Sequence, residues 1–489
     1  MSPADGPRPL RKRRPVDHIE RADYHQRMSM PPVLTEAASS RSRTAKSEKQ
    51  KGVKPSNVLE TIEQHVLLDG FKVVIDLEKS RGPYIYNAVD GRRLIDLYGF
   101  FGSMPVGFNH PYFDRDDVKR DLLCAAKVKI ANSDVYSESY AEFVETFSRI
   151  VGLPPLERYL FIEGGGLAVE NTLKAAMDWK VRKNMAAGHG ERGTQILHFC
   201  HAFHGRTGYT MSLTNTDPRK TDLFAKFDWP RVSCPHIDYS LPESERQGDV
   251  IAREKKCEEE IRDKIDKTKI DICAVIIEPI QGEGGDNHFR GEWLKKLREI
   301  CNENDVLLIF DEVQCGMGVT GRTWCCQHFD VVPDLLAFGK KAQVCGVMAG
   351  PRLDEVKDNA FRLPSRLNST WGGNFTDMVR STYFMRIVDE EHLIENAGKV
   401  GAYFLDQLRQ LQNEFDFVQA VRGRGMFLAF DLPDAKARED MWKGLFDSGV
   451  LTLRSGENSI RFRPALDITA EVVDEAIELM RKYCRQRRK

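Results

Sequence analysis

The sequence predicts an α/β protein whose main sheet is mostly parallel and covered by helices on both faces. Segments of strand length that are apolar almost throughout recur between residues 158 and 341, and amphipathic segments of helix length separate them. Such strands are typical of parallel sheets, because helices bury both faces. From about residue 390 the pattern changes to helices with a few strands, which predicts a smaller C-terminal α+β domain.

The predicted elements follow in a regular order. A strand in "RYLFIEGGG" (158–166) leads into a helix with Val169, Leu173, Ala176 and Met177 at helical spacing. Further strands are predicted in "TQILHFCHAFHGR" (194–206), "DICAVIIEP" (271–279), "VLLIFDE" (306–312) and "DLLAFGKK" (334–341), with a helix in "LKKLREICNEND" (294–305). The C-terminal part contains predicted strands in "FLAFDL" (427–432) and "SIRFRPAL" (459–466), and a final helix with Val473, Ile477 and Met480.

We therefore divide the chain into a basic arm (1–56), an N-terminal segment with a large domain (57–389) and a small domain (390–489). The arm has 13 Lys+Arg, 6 Asp+Glu and few apolar residues, so it is expected to stay disordered. An organelle-targeting segment is the alternative, although transit peptides are poor in acidic residues.

The composition of the chain bears on its partners and its cellular compartment. The 489 residues are 41% hydrophobic with a net charge of −1, which gives no reason to expect nucleic acid or a membrane surface as partner. No apolar run approaches the roughly 20 residues of a membrane helix. Eleven cysteines without a CxxC pair indicate reduced thiols, so a cytoplasmic location is expected, with mitochondria as the alternative because of the basic arm.

Glycines follow the first of these strands, at the edge where a parallel sheet binds ligands. Gly164, Gly165 and Gly166 precede a helix, so their backbone N–H groups could approach an anion with help from the helix dipole. They belong to neither a GxGxxG nor a GxxxxGK[ST] motif, and a tight turn would use the same residues.

A carboxylate and a lysine pair follow two later strands. Asp311 ends an apolar run, and a buried carboxylate is costly unless a cation meets it. A protonated pyridine nitrogen is such a cation; a core arginine or a helix cap is the alternative. Lys340 and Lys341 follow the next strand. A lysine amine attacks an aldehyde only when unprotonated, which an apolar site favours by lowering the amine pKa. The alternative is that both lysines lie at the end of a strand in contact with solvent and have no catalytic role.

Residues 198–206 carry two more candidates. Phe203 could stack on a flat ring, and Arg206 could bind a substrate carboxylate through two hydrogen bonds. The histidines and cysteine of "HFCHAFH" (198–204) are zinc-type ligands, but they fall on both faces of the predicted strand and no second pair stands at finger spacing. No metal site is predicted.

Longer blocks of the chain resemble a known family. "LLIFDEVQCGMGVTGR" followed by "PDLLAFGKK" resembles the signature of class III, pyridoxal-phosphate-dependent aminotransferases. Five further blocks resemble the lysine 6-aminotransferase branch of this family: "FIEGGGLAVENTLKAAMDWK", "FHGRTGYTMSLTNT", "IEPIQGEGGDNHF", "GKKAQVCGVMAG" and "SRLNSTWGGN". The matching blocks run from about Val58 to the final helix. The resemblance implies fold type I, pyridoxal 5'-phosphate as cofactor, and a homodimer with active sites at the interface.

The resemblance also implies cofactor-binding roles. Lys340 would be the Schiff-base lysine, with Lys341 left open because the adjacent pair makes the register ambiguous. The other positions are Asp311 at the pyridine nitrogen, Gln314 at the ring hydroxyl, Phe203 on the ring face, Gly165 and Gly166 at the phosphate, and Ser369 and Thr370 at the phosphate of the neighbouring subunit.

Substrate roles carry over in the same way. Arg206 resembles the residue that binds the α-carboxylate of lysine, and Arg461 the residue for the α-carboxylate of 2-oxoglutarate or glutamate. Glu283 resembles a switch carboxylate that masks an arginine in one half-reaction, and Asn368 is placed in the substrate pocket. A strand-edge ion pair for Arg461 and a turn position for Glu283 are the alternatives.

The implied reaction moves the ε-amino group of L-lysine to 2-oxoglutarate. Its products are L-glutamate and 2-aminoadipate 6-semialdehyde, which cyclises to piperideine-6-carboxylate. Lys340 would act as general base. Two other functions stay open: an ω-aminotransferase for ornithine or 4-aminobutyrate, and a catalytically silent scaffold with the same fold.

Overall fold

The computed structural model describes residues 52–487. The predicted basic arm lies outside these residues except for its last five positions, and the 3-10 helical turn Pro55–Asn57 begins two residues before the predicted boundary. Within the described residues, no helix is long and apolar enough to cross a membrane.

The α-helices of the described region are α1 (Val58–Glu63), α2 (Gly99–Gly102), α3 (Asp116–Ala126), α4 (Glu138–Val151), α5 (Gly165–Ala186), α6 (Thr210–Leu213), α7 (Pro218–Thr221), α8 (Glu243–Thr268), α9 (Gly291–Glu303), α10 (Phe375–Glu390), α11 (Leu393–Glu414), α12 (Ala435–Asp447) and α13 (Ala470–Arg487). The strands are β1 (Tyr84–Tyr86), β2 (Arg93–Asp96), β3 (Arg158–Ile162), β4 (Gln195–Phe199), β5 (Arg231–Val232), β6 (Ile272–Ile277), β7 (Ile280–Gln281), β8 (Asn287–His288), β9 (Leu307–Asp311), β10 (Leu335–Phe338), β11 (Cys345–Ala349), β12 (Gln419–Arg424), β13 (Phe427–Asp431), β14 (Val450–Leu451), β15 (Leu453–Ser455) and β16 (Ser459–Phe462).

The central sheet has seven strands in the order β3-β11-β10-β9-β6-β4-β5. Neighbours among β10, β9, β6, β4 and β5 pair in parallel, and β11 alone runs antiparallel to both of its neighbours. The predicted, mostly parallel sheet is confirmed. Strand β11 was not predicted. It returns directly from β10 through residues 339–344, so the lysine pair lies inside a tight connection between two sheet strands.

Both faces of the sheet are buried, as the apolar pattern predicted. Successive residues of β9 and β10 alternate between two apolar clusters. Phe310 and Phe338 pack on one face in a cluster that includes side chains of α9. Ile309 and Ala337 pack on the other face with side chains of α5. The carboxyl ends of these strands are thus held rigidly between helices.

The C-terminal part contains an antiparallel sheet in the order β12-β13-β16-β15. Strands β13 and β16 and helix α13 were predicted, and Val473, Ile477 and Met480 are buried as expected. Strand β14 pairs instead with β2, next to β1, so this part of the chain also completes a sheet begun near residue 84. The chain from Lys54 onward forms one compact unit, and a boundary at residue 390 stays a prediction.

Candidate active site

Asp311 and Lys340 meet at the carboxyl edge of the central sheet. Strands β9 and β10 pair in parallel with Asp311 opposite Ala337, and Lys340 follows three residues later. Lys340 begins a 3-10 turn and has a φ of 50°, a left-handed conformation that is uncommon for a residue with a side chain. Burial lowers the pKa of the Lys340 amine to about 8, and the nearby positive charge of Arg461 contributes in the same direction.

The amine of the neighbouring Lys341 is hydrogen-bonded to two backbone carbonyl groups. Its Nζ donates hydrogen bonds to the carbonyl oxygens of Met104 at 2.6 Å and Pro464 at 3.1 Å. The residue is buried, and burial lowers its amine pKa to about 7. Nζ of Lys340 instead lies 6.0 Å from the ring centroid of Phe101, a half-exposed side chain. Of the two lysines, the geometry therefore favours Lys340 as the reactive amine.

The carboxylate of Asp311 is held by His204, a partner that sequence analysis missed. Nδ1 of His204 lies 2.7 Å from Oδ2 of Asp311, and the two side chains are 0% and 5% exposed. The backbone N–H of Val313 donates to Oδ1 at 3.1 Å. The sequence had placed His204 only in the rejected zinc cluster. Across residues 52–487, no group of three or more His, Cys, Asp or Glu side chains could hold a metal ion.

Glu278 supports the same corner of the site. Its buried carboxylate accepts hydrogen bonds from the backbone N–H of Phe203 at 3.0 Å and of Gly282 at 3.1 Å. Burial raises its pKa to about 7, against the opposing effect of the nearby His204. Glu278 therefore fixes the backbone that carries the predicted stacking residue. Sequence analysis assigned no role to Glu278.

The predicted glycines form the start of α5, a 22-residue helix. A Cβ added to Gly165 would come within 2.8 Å of Cγ1 of Val313, and one added to Gly166 would come within 3.3 Å of Cγ2 of Thr207. The backbone therefore approaches the segment next to Asp311 more closely than a side chain allows. The unpaired N–H groups of the first helical turn and the helix dipole suit this position to an anion.

Arg461 and Gln314 are brought together although they are 147 residues apart. Nη1 of Arg461 donates to Oε1 of Gln314 at 3.0 Å, and its Nε donates to the carbonyl of Arg454 at 3.1 Å. The side chain is buried on β16. Oε1 of Gln314 also accepts from Nη2 of Arg463 at 3.3 Å. Two guanidinium groups therefore lie next to the predicted cofactor site.

Glu283 was expected to mask an arginine, but in this structure it forms an ion pair with Lys220 of α7. Its backbone carbonyl accepts a hydrogen bond from the N–H of Gly456 at 2.8 Å. Nothing in the sequence pattern had singled out Lys220. The structure places the predicted switch carboxylate beside the site, with a different partner.

The remaining predicted residues lie on exposed loops. Arg206 follows His204 by two positions and is exposed. In the segment 368–370, Asn368 and Thr370 are exposed and Ser369 is half-buried. The hydroxyl of Ser133 donates to the carbonyl of Ser369 at 3.2 Å. Within the described residues, no hydrogen bond joins this segment to Lys340 or Asp311.

These features together define a class of site. A lysine amine with a lowered pKa and a buried carboxylate follow neighbouring strands, and the start of a helix that is suited to an anion lies close to them. This is the donor set for a phosphorylated aldehyde with a basic ring, as in pyridoxal-phosphate-dependent enzymes.

Comparison with known proteins identifies the family. The profile of the class-III aminotransferases matches residues 69–484, and the chain belongs to this family. It is 47% identical over 430 residues to the L-lysine-epsilon aminotransferase of Mycobacterium tuberculosis, covering 87% of this chain and 95% of that protein. It is 44% identical over 427 residues to the enzyme of the same name from Streptomyces clavuligerus, covering 87% and 93%.

A solved structure shows the same fold. Lysine aminotransferase from M. tuberculosis in the internal aldimine form superposes with a TM-score of 0.87 at 46% sequence identity, covering 89% of this chain and 100% of that one. The predicted fold type I architecture and the resemblance to class III aminotransferases are both confirmed.

Proposed function

We propose that this protein transfers the ε-amino group of L-lysine to 2-oxoglutarate with pyridoxal 5'-phosphate as cofactor. The products are L-glutamate and 2-aminoadipate 6-semialdehyde, which cyclises to piperideine-6-carboxylate. The observation that carries the choice of lysine is the 43–47% identity to relatives named L-lysine-epsilon aminotransferase, over 93–95% of their length. Relatives named 4-aminobutyrate aminotransferase are only 31–32% identical.

The residues present fit the cofactor. When bound, pyridoxal 5'-phosphate supplies an electrophilic carbon and a ring that withdraws electrons from the carbon next to the transferred nitrogen. The observation that supports the fit is the start of the 22-residue helix α5 at Gly165, where the backbone N–H groups of the first turn and the helix dipole suit a phosphate. The residues that would hold the group are Lys340, Asp311, Gln314, Phe203, Gly165 and Gly166.

Lys340 is suited to carry the proton in the reaction. Transamination removes a proton from the ε-carbon of lysine, and Nζ of Lys340 can receive it only when unprotonated. With a pKa of about 8, a useful fraction of this amine is unprotonated at neutral pH, and its conjugate acid is strong enough to return the proton. Asp311, fixed by His204, supplies the negative charge opposite.

The two substrates present their carboxylates at different distances from the reacting carbon. Glutamate reacts at its α-amine, so its α-carboxylate lies next to that carbon, where the buried Arg461 stands beside Gln314. Lysine reacts at its far amine, so its α-carboxylate would lie farther from that carbon, and we assign it to Arg206 and Asn368, which are both exposed. Glu283 would neutralise Arg461 when lysine occupies the site.

We further propose a homodimer in which Ser369 and Thr370 complete the phosphate site of the partner. Large apolar side chains support it: Leu167, directly after the glycines, is 39% exposed, and Trp371, directly after Thr370, is 40% exposed. Exposed apolar groups next to binding residues are typical of an interface. Size-exclusion chromatography with light scattering tests this, and a monomer with full activity would contradict it.

A cytoplasmic location remains a proposal that rests on the eleven cysteines of the sequence. Free thiols persist most readily in a reducing compartment. Subcellular fractionation of cells that express the full chain would test it.

The decisive experiment supplies the purified holoenzyme with 2-oxoglutarate and one amine at a time: L-lysine, L-ornithine or 4-aminobutyrate. Formation of glutamate and of a cyclic imine is measured, with Lys340→Ala as the inactive control. Lysine should be the best donor. Preferential turnover of ornithine or 4-aminobutyrate would overturn the choice of substrate, and a protein without a cofactor absorbance band and without turnover would indicate a silent scaffold.

A further inference from the structure

An ion pair that no predicted role explains lies at the border of the site. The ammonium group of Lys220, on α7, contacts the carboxylate of Glu283. The same ammonium lies 5.7 Å from the ring centroid of Phe203. The side chains of Lys220 and Glu283 are 29% and 22% exposed, so the pair is only partly solvated. It therefore lies beside the predicted cofactor ring and is shielded in part from water.

The segment that carries Glu283 is also connected to Arg461 through Gln314. The preceding residue, Gly282, packs so tightly against the side-chain amide of Gln314 that no Cβ would fit between them. The same amide oxygen of Gln314 accepts a hydrogen bond from Nη1 of Arg461 at 3.0 Å. One backbone contact and one hydrogen bond thus connect the Glu283 segment to the arginine.

The backbone of Glu283 is held in place while its side chain has a choice of partner. Its carbonyl accepts a hydrogen bond from the N–H of Gly456 at 2.8 Å. Further along the same loop, Arg422 donates to the carbonyls of Gly285 at 2.7 Å and Asp286 at 3.0 Å. Because the backbone is held, an exchange of one cation for the other would have to come from movement of the Glu283 side chain.

We propose that Lys220 is a specificity-determining residue that holds Glu283 away from Arg461 while a dicarboxylate occupies the site. This inference rests on the proposed function, because only an enzyme with two differently charged substrates needs the exchange. With Glu283 on Lys220, Arg461 keeps its positive charge for the carboxylate of 2-oxoglutarate or glutamate. With Glu283 on Arg461, that charge is neutralised. Lys220 sets the balance between the two arrangements.

Substitution of Lys220 tests the balance without requiring turnover. The holoenzyme variants Lys220→Met and Lys220→Arg are titrated with glutarate, a dicarboxylate that has no carbonyl to accept an amino group, in an isothermal titration calorimeter. Lys220→Met removes a partly exposed ion pair and should weaken glutarate binding about fivefold. Lys220→Arg keeps the positive charge and should bind glutarate as the unmodified enzyme does. The matched control is Arg219→Gln, which removes a neighbouring cation whose side chain is 89% exposed.

Kinetics separate this role from a structural one. Lys220→Met should raise the KM for 2-oxoglutarate by a similar factor and should not raise the KM for lysine. In a Glu283→Gln background the substitution should have no further effect on glutarate binding, because no carboxylate is left to hold. Lys220→Gln serves as a second variant if the methionine variant does not fold.

The proposal is overturned if glutarate affinity is unchanged in Lys220→Met, if the loss is as large in the Glu283→Gln background, or if both KM values rise together. Failure of the proposed function has a different signature: the unmodified enzyme would not use lysine, while glutarate binding would still respond to Lys220→Met.

Discussion

The pKa of Lys340 leads to a quantitative prediction about its reactivity. Burial, and then the charge of Arg461, lower this pKa from 10.5 to about 8. At pH 7 about one amine in ten is then unprotonated, against about one in 3,000 for a lysine with the ordinary pKa, so Lys340 should react with an aldehyde roughly 300 times faster on this ground alone. Because only the unprotonated amine reacts, the reactive fraction of Lys340 rises with pH and levels off above about pH 8.

Reductive methylation measures this directly. Cofactor-free protein is treated briefly with formaldehyde and cyanoborohydride between pH 6 and 10, and labelling of each lysine is quantified by peptide mass spectrometry. Half-maximal labelling of Lys340 is expected near pH 8, and Lys79, whose side chain is 73% exposed, is the reference. Arg461→Gln removes a neighbouring cation, so it should move the Lys340 curve to higher pH and slow labelling at pH 7.

One outcome would refute the reasoning. The labelling of Lys340 and of Lys79 could show the same dependence on pH. In that case burial does not lower the pKa of the Lys340 amine, and the assignment of Lys340 as a nucleophile and base at neutral pH loses its physical basis. Lys341 provides an internal check: its pKa is lower still, at about 7, but its amine is buried and donates to two backbone carbonyls, so it should be labelled slowly at every pH.

Substitutions at four positions have distinct expected outcomes. Lys340→Ala should abolish amino transfer, whereas Lys341→Met should keep the absorbance band of the bound cofactor and lower Tm, as seen by visible spectroscopy and thermal melts. His204→Leu removes the partner at 2.7 Å from Asp311 and should weaken cofactor retention about tenfold in equilibrium dialysis, with His204→Gln less affected. Asp286→Asn leaves its fully buried arginine partner without a counter-charge and should cost about 3 kcal/mol of stability, measured by calorimetry.

Each of these has a contradicting result. Loss of the cofactor band in Lys341→Met but not in Lys340→Ala would exchange the roles of the two lysines. Equal retention in both His204 variants and the unmodified protein would show that His204 does not fix Asp311. An unchanged Tm in Asp286→Asn would mean that the buried pair is compensated by its other hydrogen bonds, such as that from Ser455 at 2.6 Å.

The local pattern of apolar residues was enough to predict many of the strands and helices. Strands β6, β9 and β10 were recognisable because every residue in them is buried, which leaves an uninterrupted apolar run. Strand β11 was missed because it contains a cysteine, a glycine and a methionine, and because its antiparallel pairing with β10 and β3 is not encoded in its own five residues. Strand β12 was missed for a similar reason, since it holds two arginines.

Residue type and position at strand ends were sufficient to select Asp311, the pair Lys340 and Lys341, Phe203 and the glycines as candidates, because a parallel sheet collects ligands at one edge. Which partner each of them meets depended on segments far away in the chain. The choice of Lys340 over Lys341 comes from carbonyls 237 and 123 residues distant, and the pairing of Asp311 with His204 spans 107 residues. Such contacts arise from packing of the whole chain, and no local periodicity records them.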